Sequence, residues 1–290
     1  MGRVYSLITL YNPDESVVKK SKQIAAQTEK AFLCDNSNRN NSALFQCIEN
    51  AAYMANMKNL GLPGAFNKIL RDLKLSWHED DIIIFFDQDS EIKEGYIERL
   101  IFGFKVAEKE YKNLGCYGPV FFNTSNGTVE IPKIKQELLD GVYKVRNIIT
   151  SSMVVRYKNL QKIGFWNEKL FLDLADWDLC WRMEANGMLC CITDSITLYH
   201  SVGDGEKRVG PFTFRVGQPV REYYQTRDAL NLLEEGYIPF KMRVRLLANV
   251  TVRPILHYMF LNEKKQRVKY IKKGFMDYHK GVHGELQHDD

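Results

Sequence analysis

No stretch of this 290-residue chain carries the ~18–20 uninterrupted apolar residues that a bilayer crossing needs. The nearest approach, Leu246 to Leu261, is broken by Arg253, Pro254 and His257. A large excess of one charge is also missing: the formal net charge of +4 is too small to imply a nucleic-acid partner. The cysteines (Cys34, Cys47, Cys116, Cys180, Cys190 and Cys191) form no Cys-x-x-Cys pair, and no secretory signal opens the chain. Reduced thiols in a cytoplasmic protein are therefore expected, and a zinc site is not. The glycine-rich, basic phosphate loop of nucleotidyltransferases is absent after the first strand, where Pro13-Asp14-Glu15 stands instead. Internal repeats, low-complexity tracts and linkers are absent too. Met1-Gly2-Arg3-Val4-Tyr5-Ser6 matches an acylation pattern, but Val4 to Leu10 reads as a core strand, which leaves little free arm.

What is present is ordinary for a globular protein, at 45% hydrophobic and 26% charged, and the length suits one large α/β domain with an appendage. Val4–Leu10 is strand-like, and Pro13 with Asp14-Glu15 suits the first turn of a helix running to about Lys30. Residues 31–34 form a second strand, 42–56 a weaker helix, and Gly61 opens another helix reaching about Trp77. The apolar run 82–86 is a strand, followed by a helix near 93–112 and a strand near 116–120. This alternation predicts a mostly parallel central sheet flanked by helices. Beyond Phe121 come short strands and excursions over 128–147, a strand at 148–155, a helix near 176–187, and strands near 188–193 and 196–200. From about Pro219 the chain is helical and basic.

Ile82-Ile83-Ile84-Phe85-Phe86 reads as a strand buried on both faces. Asp87-Gln88-Asp89 follows at the carboxyl edge of the sheet, where open α/β folds bind ligands. If the strand continues, Asp87 and Asp89 point the same way, and two hard oxygen ligands so spaced suit Mg²⁺ or Mn²⁺ on a diphosphate. A polar strand end capped by Ser90 is the plain alternative.

Four segments occur in a telling order: Thr9-Leu10-Tyr11-Asn12-Pro13, Asp35-Asn36-Ser37, Asn59-x-Gly61-x-x-x-Ala65-x-Asn67 and Asp87-Gln88-Asp89-Ser90. Phe171 to Arg182, Leu198-Tyr199-His200-Ser201-Val202-Gly203 and Arg221 to Asp228 extend the series. Over nearly its whole length the chain resembles the inverting GT-A glycosyltransferases of family 2, and most closely their bacterial rhamnosyltransferases.

The resemblance implies a GT-A (nucleotide-diphospho-sugar transferase) fold over 1–218, with a nucleotide half to about 120 and an acceptor half over 121–218, and a helical extension over 219–290. It implies nucleotide-sugar contacts from Thr9, Tyr11, Asn12, Asp35, Asn36, Asn59, Asn67, Asp87, Gln88, Arg221 and Arg227. Asp35 would accept from the base imide, and the two arginines would reach over the diphosphate. Asp87, Asp89 and His200 would hold Mn²⁺ or Mg²⁺. Asp176 falls where the family has its general base. Ser151, Trp166, Asp173 and Trp177 would meet the acceptor. Asp173 and Asp176, three apart on an expected helix over 171–182, would share a face. Two departures stand out: Ala175 replaces a common Glu, and Ser152 a common Gly.

The implied activity is transfer of L-rhamnose from dTDP-rhamnose to a lipid-linked surface polysaccharide, at the inner face of the cytoplasmic membrane. The alternatives are a UDP-hexose donor on the same fold and a non-catalytic, membrane-surface carbohydrate-binding subunit. Asp87, Asp89 and Asp176 occurring together speak against the second. From Pro239 to Phe275 the only acid is Glu263 among ten cations. This basic, partly apolar helical region reads either as lying on an anionic membrane surface or as a homodimer face.

Overall fold

The computed structural model describes residues 2–123, 127–130, 136–200, 206–209, 212–215 and 217–287. In chain order the first half contains β1 (Val4–Leu10), α1 (Glu15–Ala25), β2 (Lys30–Asp35), α2 (Ser42–Phe45), β3 (Ala51–Ala55), α3 (Gly61–Leu70), β4 (Ile82–Asp87) and α4 (Tyr96–Glu110). Next come β5 (Leu114–Asn123), β6 (Thr128–Glu130), β7 (Gln136–Leu139), β8 (Val142–Val145), β9 (Met153–Arg156), α5 (Tyr157–Lys162), α6 (Ala175–Ala185) and β10 (Leu189–His200). A small hairpin, β11 (Glu206–Val209) and β12 (Phe212–Arg215), precedes α7 (Arg221–Leu233), α8 (Phe240–Phe260) and α9 (Lys264–His279).

The main sheet runs β3-β2-β1-β4-β9-β5-β10-β8-β7, with β6 beside β5. It is parallel through β3, β2, β1 and β4, and again between β5 and β10. β9 is antiparallel to both neighbours, β4 and β5, and joins the two parallel parts. As expected, β4 is buried on both faces. Ile83 and Phe85 join the core under α3, α5 and α6, whereas Ile82, Ile84 and Phe86 join the core under α1 and α4. Burying a side chain of this size contributes about 1.5–3 kcal/mol, so this strand anchors both layers.

The helix expected from Pro13 to about Lys30 is the shorter α1, which starts after Asp14 and ends at Ala25. Asp14 caps it, its Oδ1 accepting from Ser16 N and Val17 N at 2.9 and 3.2 Å. Several boundaries moved. The helix expected over 42–56 is the short α2 followed by β3. Ala51-Ala52-Tyr53-Met54-Ala55 pairs with β2 at the sheet edge, and that tertiary pairing overrides the helical preference of Ala and Met. α3 stops at Leu70 rather than Trp77, and the strand expected from 148 begins at Met153. The two strands expected at 188–193 and 196–200 are one, β10, with an irregularity between Thr193 and Thr197. α5 was not foreseen.

The helical extension is not a loose tail. Ala229 and Leu232 of α7 and Leu246 and Val250 of α8 belong to the same core as β1 and β4. The three helices meet on Glu222, which is 3% exposed. Its carboxylate accepts from Arg267 Nη1 at 3.0 Å and lies 2.7 Å from His257 Nδ1 and 3.4 Å from Arg253 Nη2. Burial pushes Glu222 up, but His257, Arg253 and Arg267 outweigh it and hold the carboxyl below its usual value.

Candidate active site

β4 ends at Asp87, directly beside Thr9 of β1. The chain then turns, with Ser90 N donating to Asp87 O at 3.1 Å, so a tight turn rather than strand pleating sets Asp89 relative to Asp87. Gln88 Oε1 accepts from Tyr11 N at 2.8 Å and ties the ends of β1 and β4 together. Lys20 Nζ donates to Asp89 O at 3.1 Å. Ser151 Oγ donates to Asp87 Oδ2 at 2.5 Å and brings in the approach to β9.

On the other side of this edge α6 begins. The expected helix over 171–182 starts only at Ala175, because Leu174 adopts a left-handed conformation with φ +69°. Asp173 therefore precedes the helix rather than sharing its face. Ala175 is 2% exposed, so the larger Glu expected there from the resemblance would not fit unchanged. Asp176 is half-buried in the first turn, with Oδ1 accepting from Trp177 N at 2.8 Å. Burial pushes its carboxyl up to about 8, and the charges of Cys180, Asp87 and Asp173 add to the rise. Asp87 and Asp173 thus both lie close enough to act on Asp176, although Asp87 is far from it in sequence.

The segment leading into α6 is clamped from both sides. Asn67, 2% exposed, donates to Trp166 O and Glu168 Oε1 at 2.8 and 2.6 Å and accepts from Trp166 N at 3.0 Å. Leu62 N donates to Phe171 O at 2.8 Å. Gly61 sits at φ +70°, where a Cβ would stand 2.4 Å from Phe171 O, so both conformation and contact require glycine. Asn59 Oδ1 accepts from Gly61 N at 3.0 Å, and Asn36 Nδ2 donates to Gly61 O at 3.0 Å. From α7, Asp228 Oδ2 accepts from Phe171 N at 2.8 Å, while Tyr224 stacks on Phe171 with centroids 4.3 Å apart.

These contacts change several expected roles. Asn36 and Asn67 brace the scaffold with their polar groups turned into it, whereas half-buried Asn59 turns its Oδ1 back to Gly61 N. Asp35, 0% exposed, accepts from Ser37 N, Ser37 Oγ, Asn41 Nδ2 and Tyr53 OH at 2.5–2.8 Å. Four donors fill the lone pairs of a carboxylate, so Asp35 offers none to a base. Arg227, also 0% exposed, donates to Asp228 Oδ1, Tyr223 OH and Gly284 O, and so does not reach over a diphosphate. Arg221 meets Asp173 instead, at 2.5 Å. Trp166, 1% exposed, packs against Phe66 and Phe85 in the core, away from an acceptor.

Thr9, Tyr11 and Asn12 remain at the open edge. Tyr11 and Asn12 are exposed, Thr9 half-buried, and Asn12 N donates to Ser37 Oγ at 2.7 Å. Ser151 is buried against Asp87, and Trp177 is half-buried with the Arg245 guanidinium 4.5 Å over its ring. His200 ends β10, but its side chain, like residues 201–205, lies outside the described residues. Ser152 sits at φ +66°, a conformation that suits the glycine expected there from the resemblance.

Lys20, Arg245 and the Phe171 clamp were missed. Nothing in the spacing of Lys20 or Arg245 reveals a partner across the fold. The cysteine reading also needs an addition. Cys116, Cys180 and Cys190, far apart in sequence, bring their sulfurs within 4.8 Å of one another in the core behind α6. Among the described residues a cavity of about 500 Å³ lined by Val4, Gln27, Ile101, Phe102 and Lys105 lies near α4, and no carboxylate of the site lines it.

Asp87 and Asp89 fit a divalent cation by the chemistry of their donors. They are hard oxygens at the mouth of the sheet, one steadied by Ser151 and the other followed by a backbone held by Lys20.

No protein-family model matches the chain. A curated relative, the dTDP-rhamnosyl transferase RfbF of Shigella flexneri, is 26% identical over 300 residues, covering 98% of this chain and 96% of its own length. Among solved structures, GalNAc-T7 with UDP, GalNAc and Mn²⁺ superposes with a TM-score of 0.58 at 12% identity over 96% of this chain. The match spans 56% of the GalNAc-T7 chain. Residues 1–349 of S. aureus TarS superpose with a TM-score of 0.56 at 15% identity, over 97% of this chain and 81% of theirs. Both are GT-A glycosyltransferases, and the expected fold is the one found.

Proposed function

We propose that this chain, a glycosyltransferase of GT-A fold, is a metal-dependent inverting rhamnosyltransferase that takes L-rhamnose from dTDP-rhamnose. Its acceptor in this reading is a lipid-linked surface polysaccharide, met at the inner face of the cytoplasmic membrane. The observation that carries the chemistry is the placement of Asp176, a half-buried carboxylate in the first turn of α6 within electrostatic reach of Asp87 at the end of β4. The near full-length likeness to a dTDP-rhamnosyl transferase supports the donor.

Inversion needs a base on one side of the sugar and a leaving diphosphate on the other. Asp176 is suited to the first task. Its carboxylate takes the proton of the acceptor hydroxyl as that oxygen bonds to C1 and the bond from C1 to the phosphate oxygen breaks. A pKa of about 8 makes it a stronger base than a free carboxylate, acting through the fraction that is ionised near neutral pH. Asp87 and Asp89 would hold Mn²⁺ or Mg²⁺, which supplies positive charge for the departing diphosphate. Thr9, Tyr11 and Asn12, at the mouth beside β4, would meet the nucleotide. Trp177 offers an apolar face to the acceptor beside the base. Arg221 holds Asp173 and so keeps a second carboxylate at a fixed place beside Asp176.

The test is turnover of dTDP-rhamnose against UDP-galactose and UDP-N-acetylglucosamine, with Mn²⁺, with Mg²⁺ and with chelator. NMR would read the anomeric configuration of the product. Turnover of dTDP-rhamnose alone, metal-dependent and with inverted configuration, is the expected result. Preference for a UDP-hexose would overturn the donor, and a retained configuration would overturn the role of Asp176.

A further inference from the structure

α8 presents two unlike faces. Leu246, Val250 and His257 turn inward and are nearly fully buried. On the other side Phe240, Val244, Leu247, Ile255, Tyr258 and Met259 are each between 50% and 79% exposed. With exposed Thr251 they fall at 240, 244, 247, 251, 255 and 258–259, the spacing that keeps residues on one face of an α-helix. The stripe runs the length of a 21-residue helix, roughly 30 Å. A soluble surface seldom leaves so continuous an apolar line uncovered.

Cations frame the stripe. Exposed Lys241 stands at its start, and Lys264, from the first turn of α9, places its ammonium 5.7 Å over the ring of Tyr258 at its end. Lys265, Lys269 and Lys272 of α9 are exposed as well. Glu263 is the only acid between Pro239 and Phe275. Among the described residues no helix is long and apolar enough to cross a membrane.

We infer that the outer face of α8 lies in the plane of an anionic lipid surface, with its apolar side chains in the acyl boundary and the flanking lysines at the headgroups. An apolar face with cations along it and at its ends is the pattern of an interfacial helix. A second copy of the chain fits this face poorly. A two-fold interface would bring the same surface against itself, antiparallel pairing would set Lys241 near Lys264 and Lys265, and this region offers almost no acid to oppose them. The placement has a consequence for the site. Arg245 lies over Trp177, next to Asp176, so a membrane under α8 would lie close to the acceptor side of the cleft. The inference deepens the reading of a lipid-linked acceptor but stands on α8 and the lysines of α9, and its vesicle measurement uses neither donor nor acceptor.

Full-length protein would be sedimented with phosphatidylglycerol–phosphatidylcholine vesicles and with phosphatidylcholine alone, at low and high salt. Binding to the acidic vesicles, weakened by salt, is expected. The double variant Leu247→Asp, Ile255→Asp should lower partitioning by about 10²-fold or more, since two apolar side chains leave the acyl boundary. Lys241→Glu with Lys264→Glu should lower it by at least tenfold at low salt, since each cation near such a surface is worth about fivefold. All four positions are exposed, so unfolding midpoints and hydrolysis of dTDP-rhamnose should stay at the wild-type level, and failure of that donor reading would leave the vesicle result standing. Wild-type protein that ignores acidic vesicles at low salt would overturn the inference. So would a stable dimer that the Leu247→Asp, Ile255→Asp variant splits, or binding that this variant leaves unchanged.

Discussion

The end of β2 and the start of α6 each bring a carboxylate into the protein, with opposite consequences. Asp35 at the end of β2 is met by four donors from Ser37, Asn41 and Tyr53, and nothing of it faces the cleft. Asp176 faces Asp87 and Asp173 and is pushed up to about 8. A satisfied buried carboxylate fixes structure, whereas a crowded one at an opening is poised to exchange a proton. The contrast extends to the arginines of α7. Arg227 is locked inside against Asp228, whereas Arg221 reaches Asp173 at the rim of the site.

Exchanging the carboxylates for amides should separate the two roles most sharply. Asp176→Asn is expected to lower turnover by ~10²–10⁴-fold while leaving binding of donor and metal nearly unchanged, as measured by titration calorimetry. Asp35→Asn should act through the fold, lowering the unfolding midpoint and weakening nucleotide binding and turnover together. Near wild-type turnover in Asp176→Asn would break the comparison and move the base to Asp173.

The two arginines give the next largest difference. Arg227→Leu strands Asp228 in the core and should cost about 3–5 kcal/mol, read by denaturant unfolding. Arg221→Ala removes a partly exposed pair, for which a loss of about 1 kcal/mol or less is expected, with a larger effect on turnover than on stability. Equal losses of stability would mean that Arg221 is as structural as Arg227.

Asp89→Ala should weaken metal-dependent binding of the nucleoside diphosphate by about tenfold or more, and chelator should have the same effect on the wild type. Unchanged Mn²⁺-dependent affinity would reduce Asp87-Gln88-Asp89 to a strand end and a turn.

Much of this contrast was beyond the reach of the sequence. The doubly buried β4 and the carboxylates after it were legible because an apolar run and a charge change each have a direct structural meaning; α6 was expected, but not the left-handed Leu174 that delays its start to Ala175. The roles of Asp35, Asn36 and Asn67 were not. A buried brace and a ligand contact use the same polar residue types, and only the partners distinguish them. Those partners, Tyr53 for Asp35 and Trp166 for Asn67, come from elements whose placement depends on sheet order. β3 was lost for a related reason: its identity as a strand lies in its pairing with β2 rather than in its own residues.

The raised pKa of Asp176 adds a pH-dependent signature. Between its unfolded value near 4 and its folded value of about 8 the native state holds a proton that the unfolded chain does not. Stability from this group is therefore present at low pH and falls as pH rises through that window. Asn has no such slope. Without metal or nucleotide, the unfolding midpoint of Asp176→Asn relative to wild type should rise from pH 5 to pH 8.5 (about one unit above and about half a unit above the two limits). A constant difference would mean that the site already accommodates the charge.

The smallest test lies where the two regions meet, at the approach to β9. Ser152 donates its amide to Phe85 O at 2.7 Å, accepts from Tyr96 OH at 3.0 Å through Oγ, and adopts φ +66°. Left-handed backbone costs a non-glycine residue about 1–2 kcal/mol, and the hydroxyl contact returns about 1 kcal/mol. Ser152→Ala loses the contact and keeps the strain, whereas Ser152→Gly loses the contact and sheds the strain. Glycine also loses more entropy on folding, by about 0.5–1 kcal/mol. Glycine should therefore be at least as stable as alanine here, by up to about 1.5 kcal/mol, the reverse of their usual order within a strand or helix. Urea unfolding of the two variants measures the difference. Alanine proving the more stable would show that the turn relaxes out of the left-handed region once Tyr96 is released. The position of Ser151 against Asp87 would then depend on that hydroxyl contact rather than on the backbone alone.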